Sequence, residues 1–457
     1  MGFKQISTGV VGLLTMAVVG ACSASSTAGT AVTSSQSAST SGQSTMGTGS
    51  SVAGSLAPVP LRSNLARGTG GAAAGAGRAM DSLGAALLRQ MPAGDNAVLS
   101  PYSIYAVLAM TRDGAKGATA AQLDKVLGGT AAVQGGNVTA VDRAVAAAIA
   151  SGGPPTDADP QTADVRPVTL DVANSVWLSP SLTVRKPYLD ALATKFGVGM
   201  YQLDYRKDPE QARKIINGWV ANHTRDKITD LLQKEQITAD TLIALVNAVY
   251  LSAPWASDFR RSSTPLPFST ASGAKKTVPA MQVSARLETA SGKGWTSVTI
   301  PYRGDGLAMT LVIPDAGSFD SVRADLASVL PVATSGRSTA VDLTMPTFDA
   351  EAHLSLVPAM KALGVTDLFD PKAADLSGIA GGAGDIYAGH FVHQTVVSVD
   401  EKGTEATAAT AIVGMPSGAA APGPSDKISV DRPFFYTIHD TTTGAALFLG
   451  QITDPKS

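Results

Sequence analysis

A single cysteine, Cys22, stands in a chain of 457 residues. The fold can therefore contain no intrachain disulfide and no cage of thiolates around a metal. Apolar residues make up 44% of the chain and aromatics only 5%, so the core is built mainly from small aliphatics. That apolar content argues against wholesale disorder. Length alone allows two to four domains, or one large domain of mixed topology. The formal net charge is −2, which offers no basic field for a phosphate backbone. A nucleic-acid partner is not expected.

The cysteine also has a telling position. Residues 1–22 read MGFKQISTGVVGLLTMAVVGAC. Lys4 gives a thin positive start, and Val10 to Val19 form an apolar run of signal-peptide size, too short to span a bilayer comfortably. Val19-Gly20-Ala21-Cys22 resembles a bacterial lipobox. The resemblance implies a signal peptide over 1–21, lipidation of Cys22, and anchoring to the outer face of a bacterial membrane or cell surface. Each buried methylene of an acyl chain contributes about 0.8 kcal/mol, so several chains anchor firmly. An ordinary secretory signal with a coincidental cysteine is the alternative. Residues 22–74 are rich in Ser, Thr, Gly and Ala, have no aromatics, and read as a flexible tether. Fifty such residues reach on the order of 40 Å.

From residue 75 to 457 the pattern is that of one α+β domain. Met80, Leu83, Leu87 and Leu88 share a helical face, and Val107, Leu108 and Met110 mark a second helix. Residues 210–232 carry Ile215, Trp219, Ile228 and Leu232 among charges, as an amphipathic helix does. Runs at 169–178, 242–251, 296–301, 309–313, 341–345, 434–439 and 446–452 read as strands. Residues 151–167, with Gly-Gly-Pro-Pro, read as a surface insertion. No internal repeat is present.

Catalytic motifs are missing. The chain has no G-x-S-x-G elbow, no H-E-x-x-H and no P-loop. Ser272 and Lys275 match S-x-x-K without its companion motifs. His390 and His393 are three apart and could share a metal, yet no third ligand of suitable type lies close in sequence. The simpler reading of each is a satisfied buried donor. No metal and no cofactor is expected, and the chain is not expected to be an enzyme.

The most informative segment is residues 399–411, VDEKGTEATAATA. It resembles the hinge of an inhibitory serpin almost residue for residue. Other segments match in order: Asn96-Ala-Val-Leu-Ser100-Pro-Tyr-Ser103-Ile, Leu245-Val-Asn247-Ala-Val-Tyr-Leu-Ser-Ala-Pro-Trp255, Arg432-Pro-Phe-Phe435, and Leu447-Phe-Leu-Gly-Gln-Ile-Thr-Asp-Pro455. The chain is identified as a member of the serpin family, of the bacterial lipoprotein type. This implies a large central β-sheet, two further sheets, surrounding helices and an exposed reactive-centre loop. The implied activity is that of a suicide substrate. An extracellular serine protease attacks one loop bond, becomes acylated, and is trapped when the loop inserts into the sheet. A monomer is expected.

The hinge also makes sense by itself. Gly403 permits a sharp backbone change. In a strand, Thr404, Ala406, Ala408 and Thr410 would share one face, and all are small enough to enter a packed sheet. Glu405 would take the solvated face. The resemblance places Glu401 at the far end of the hinge. It implies that Ser100, Ser103, Asn247 and His393 form the shutter, a polar cluster beneath the parting strands, and that Trp255 lies at the breach, where insertion begins. Counting from Glu401 puts the reactive bond at Ser417-Gly418. Here the chain departs from the family, because the distance from Ser417 to Pro433 is several residues longer than usual. The window is therefore 413–421, with Met415, Ala419, Ala420 and Ala421 as alternatives. No Lys or Arg lies between Lys402 and Lys427. Trypsin-like pockets need such a cation, so elastase-like or subtilisin-like proteases are the expected targets. The alternative function is a non-inhibitory serpin acting as a surface binding or adhesion module.

Overall fold

The computed structural model describes residues 56–68, 75–153, 167–404 and 425–455. The central sheet has seven strands, numbered here in chain order. They are β1 (Val59–Leu61), β2 (Thr169–Leu178), β3 (Met200–Gln202), β4 (Ile243–Pro254), β5 (Phe348–Ser355), β6 (Phe391–Asp400) and the two-residue β7 (Gly403–Thr404). Their order across the sheet is β1-β3-β2-β4-β7-β6-β5, and β4 also pairs directly with β6. A nine-stranded sheet and a two-stranded sheet complete the β structure. The α+β architecture with three sheets is thus as the sequence implies.

Burial on both faces explains the composition of β4. All of Ile243 to Leu251 are buried, a near-continuous apolar run broken by Asn247. One face of the central sheet packs on the main core, which includes helix α1 (Ala76–Leu88) and helix α2 (Pro101–Gly114). Helix α2 is started by Ser100, whose hydroxyl accepts from the Ser103 N–H at 3.2 Å, and by Pro101 at its first position. The other face forms a second core, where Trp177 of β2 and Ala244 and Val246 of β4 meet Ala212, Ile216 and Val220. Those three recur every four residues on the helix Pro209–His223.

Three differences from the sequence reading have physical causes. The periodicity over 210–232 suggests one helix, but the helix ends at His223. Arg225 and Asp226 take positive φ, and Ile228, Leu231 and Leu232 reach the second core from irregular chain. The long strand Ala280–Gly292 carries no continuous apolar run, because its exposed face interrupts it. Third, residues 56–68, which composition assigns to the tether, are docked. Val59–Leu61 pair with β3, the Gly68 N–H donates to the Thr194 carbonyl at 2.8 Å, and Ser63 Oγ donates to Asp190 at 2.6 Å. Arg67 pairs with Asp142 of the helix Ala131–Ser151. Pro60, with no N–H, stands in this edge strand, a common means of blunting a free edge. The remaining tether residues, Cys22 and the rest of the 151–167 insertion lie outside the described residues.

Candidate functional site: a seam between two strands

The parallel pair β4–β6 is closed over most of its length. Leu245 to Tyr250 lie opposite Phe391 to Val396 in unbroken register. At the upper end the two strands part. There Gly403 and Thr404 fold back from β6 and sit between them, antiparallel to both. Thr404 lies in one row with Ala253 of β4 and Val399 of β6.

Local chemistry seats this turn. Asp400 Oδ1 accepts from the N–H groups of Lys402 at 2.8 Å and Gly403 at 3.2 Å. Burial raises the Asp400 pKa, and those two N–H donors work against the rise. Gly403 has φ 151°, and a Cβ there would stand 2.2 Å from the Ala253 carbonyl oxygen. Only glycine fits this seat. Trp255, the expected breach residue, closes the top. Its indole N–H donates to the Asp400 carbonyl at 2.8 Å, and its own N–H to the Lys402 carbonyl at 3.1 Å. Its ring stacks on Tyr302 with centroids 4.6 Å apart. The Tyr302 hydroxyl, wholly buried, meets the Thr404 hydroxyl. Tyr302 was not singled out from sequence. It ends the strand run at 296–301, where nothing marks it as part of the site.

The shutter residues come together six positions below Thr404. His393 of β6 lies opposite Asn247 of β4. The Ser100 N–H donates to His393 Nε2 at 3.0 Å, so Nε2 carries no proton. Nδ1 is then the protonated nitrogen and donates to Asn247 Oδ1. Burial pushes the His393 pKa down to about 3, and the ring is neutral. The Asn247 amide donates to Ser103 Oγ at 2.6 Å and to Asn174 Oδ1 at 2.8 Å, and Ser103 Oγ donates to Asn174 at 2.7 Å. Asn174 of β2 is a member that sequence reading missed. It looks like an ordinary polar residue in a strand, and only pairing with Asn247 brings it in.

Both His393 nitrogens are occupied, so it has no lone pair to share with His390 around a metal. Among the described residues no cluster of three or more metal-ligating side chains occurs. Ser272 and Lys275 belong to the hairpin that joins Leu266–Ser269 to Lys275–Val278, and Ser272 Oγ bonds Thr270 rather than the lysine. Glu401 is half-buried beside the seated turn. Glu405, Ala406, Ala408, Thr410, Met415, Ser417, Gly418, Ala419 and Ala420 lie outside the described residues.

The sheet is thus closed below and already entered from above by Gly403 and Thr404. The family model described as serpin (serine protease inhibitor) matches residues 78–455. The chain is 31% identical over 393 residues to Iripin-8 of Ixodes ricinus, covering 82% of this chain and 92% of that one. It is also 31% identical over 382 residues to the leukocyte elastase inhibitor of Bos taurus, covering 81% and 95%. The crystal structure of Serpin48 from the insect Tenebrio molitor superposes with a TM-score of 0.68 at 25% identity, covering 83% of this chain and 97% of that one. This chain belongs to the serpin family, whose members are generally protease inhibitors.

Proposed function

We propose that the chain is a suicide inhibitor of extracellular serine proteases that accept small residues, carried on a lipid at Cys22 on the outer face of a bacterial membrane. The observation that carries the inhibitory reading is the seat of Gly403 and Thr404 between β4 and β6. Continued downward two residues at a time, the same register brings residue 406 between Leu251 and Val397. Residue 408 then falls between Val249 and Thr395, and residue 410 between Asn247 and His393. Ala406 and Ala408 would enter these apolar rows without overpacking. Thr410 would bring its hydroxyl to the row where insertion parts two hydrogen-bonded side chains. A buried polar group left without a partner costs about 1–3 kcal/mol, so a hydroxyl at that row supports full insertion.

The chemistry follows. The protease serine attacks the loop carbonyl and forms an acyl-enzyme. Cleavage frees the loop's proximal arm to zip into the seam, replacing one parallel pairing with two antiparallel ones. The serpin contributes no catalytic group. It contributes the stored free energy of a closed sheet, so its stability is kinetic. Glu401 as hinge origin places the acylated residue at Ser417. The absence of Lys and Arg between Lys402 and Lys427 supports elastase-like or subtilisin-like targets, as does likeness to an elastase inhibitor. The lipid reading rests on the Val19–Cys22 motif.

The test mixes the purified domain with an elastase, a subtilisin and trypsin. A complex that survives denaturing gels with elastase or subtilisin but not trypsin is the expected result. The mass of the released C-terminal peptide then identifies the bond. Cleavage by all three without a complex would sink the inhibitory reading.

A further inference from the structure

The chain between the helix Pro209–His223 and β4 crosses the seam on the face of the second core. Successive residues of a strand point to opposite sides. His393 faces helix α2, where the Ser100 N–H meets it, so its neighbours Val392 and Gln394 face the other way. Over them lies a strap, residues 224–242. Its Leu231, Leu232 and Ile237 share the second core with Val246 and Ala248 of β4 and with Val392 of β6, strands on both sides of the seam.

The strap is tied at both ends, unequally. At the helix end, Arg213 Nη1 donates to Asp230 Oδ1 at 2.8 Å and to the Leu232 carbonyl at 2.6 Å. The Asn217 amide donates to the same two acceptors at 2.9 and 3.0 Å, and Asn217 Oδ1 accepts from the Leu232 N–H at 2.8 Å. Arg225 adds an ion pair to Asp171 of β2 at 2.6 Å. Across the seam, among the described residues, the hydrogen bond between strap and β5 comes from one side chain. His353 Nε2 donates to the Leu231 carbonyl at 2.6 Å. His353 lies in one row with Gln394 of β6 and Ala248 of β4. The closed strap is also strained. Arg225, Asp226 and Glu235 hold φ of 52°, 59° and 69°, a region costly for residues other than glycine. Gln394 Oε1 is buried with no hydrogen-bond partner among the described residues, a further cost of closure.

Insertion at this row moves Gln394 away from Ala248 by one further strand spacing, about 4.8 Å. β5 moves with β6, since eight consecutive residue pairs join them. The bond to Leu231 does not survive that shift while the five bonds at the helix end hold. We infer that His353 is a positioning residue for inhibition, the buckle whose release admits the incoming strand beneath the strap. The inference rests on the inhibitory reading. It is tested in the full chain with a fluorescein-tagged peptide of residues 405–413, whose entry into the intact protein is followed by anisotropy. Entry should be about two-fold faster or more into His353→Ala than into the unaltered protein, as loss of one hydrogen bond implies. His353→Gln keeps an N–H donor and should restore the slow rate, which a general loosening of the fold would not do. The number of inhibitors consumed per elastase trapped should fall in His353→Ala, because insertion then gains on hydrolysis. Equal entry rates for His353→Ala and the unaltered protein, with elastase still trapped covalently, would overturn the inference alone. If the peptide does not enter and no covalent complex forms, the inhibitory reading fails and takes this inference with it.

Discussion

Around Thr404 the gap between β4 and β6 is filled by chain; six residues lower, around His393, the same two strands meet directly. The upper stretch is held by shape. Gly403 fits where no side chain could, and Trp255 and Tyr302 stack over the turn. The lower stretch is held by a buried polar network of five residues from four elements or their caps. Such a network is strong when complete and costly when half made. In the proposed mechanism the two stretches therefore set different things: the upper one whether insertion can start, and the lower one how firmly it is resisted.

Substitutions can separate these roles. The largest effect is expected at Gly403→Val. The new side chain collides with the Ala253 carbonyl, and overpacking of this kind costs about 1–3 kcal/mol. The turn should leave the seam and the protein become a plain substrate, seen as cleavage without covalent complex on gels. Retained complex formation would show that the seat is dispensable. Next comes Asn247→Ala, which strips His393, Ser103 and Asn174 of a shared partner. A loss of about 3 kcal/mol is expected, read as a lower denaturant midpoint. An unchanged midpoint would mean that the network does not hold the closed sheet.

Acid should weaken the fold through two buried histidines, His393 in the lower stretch and His439, whose pKa burial lowers to about 4. His393 has its folded pKa at about 3 against 6.5 in the unfolded chain, so between those values the unfolded state binds the extra proton and stability falls as pH falls. Asp81 of α1 opposes this. Burial lifts its pKa to about 7, so from about pH 4 to 7 the folded state holds the extra proton and stability rises as pH falls. Between about pH 4 and 6.5 the Asp81 slope offsets that of one of the two histidines. Asp81→Asn should remove this offset and steepen acid loss by about 1.4 kcal/mol per pH unit. Chemical denaturation across pH 4–6.5 measures it, and equal slopes in the two proteins would refute the assignment. The smallest effect is expected at Tyr302→Phe, which keeps the Trp255 stack but removes the partner of Thr404. A loss of about 1 kcal/mol would unseat the turn about five-fold more often. Hydrogen exchange over residues 400–404 reports that directly.

Much of this was legible in the sequence, for reasons that differ by residue. The hinge stood out through its resemblance to that of inhibitory serpins, and its glycine and alternating small residues give that resemblance a mechanical meaning. Ser100 and Ser103 were found through the family motif around Pro101, and Asn247 through the family segment Leu245–Trp255. Asn174 and Tyr302 were not found, because their importance comes from what lies across a strand boundary or beneath the seam. Neither relation is local in sequence. The docking of residues 56–68 was hidden for another reason. Val59-Pro60-Leu61 is too short for a periodic signal, and a three-residue strand gains its place only from the edge of a sheet already built.

The double pairing of Gly403 and Thr404 bears on timing. An acyl-enzyme is a clock, since water will release the protease unless the loop moves first. A loop that had to find the gap would spend part of that interval searching, and closing a loop carries an entropic cost. Here both neighbours of the future strand are already engaged at its first two residues. After cleavage, each further residue only extends a register that exists. In the proposed mechanism the contest between hydrolysis and capture therefore opens with capture already under way.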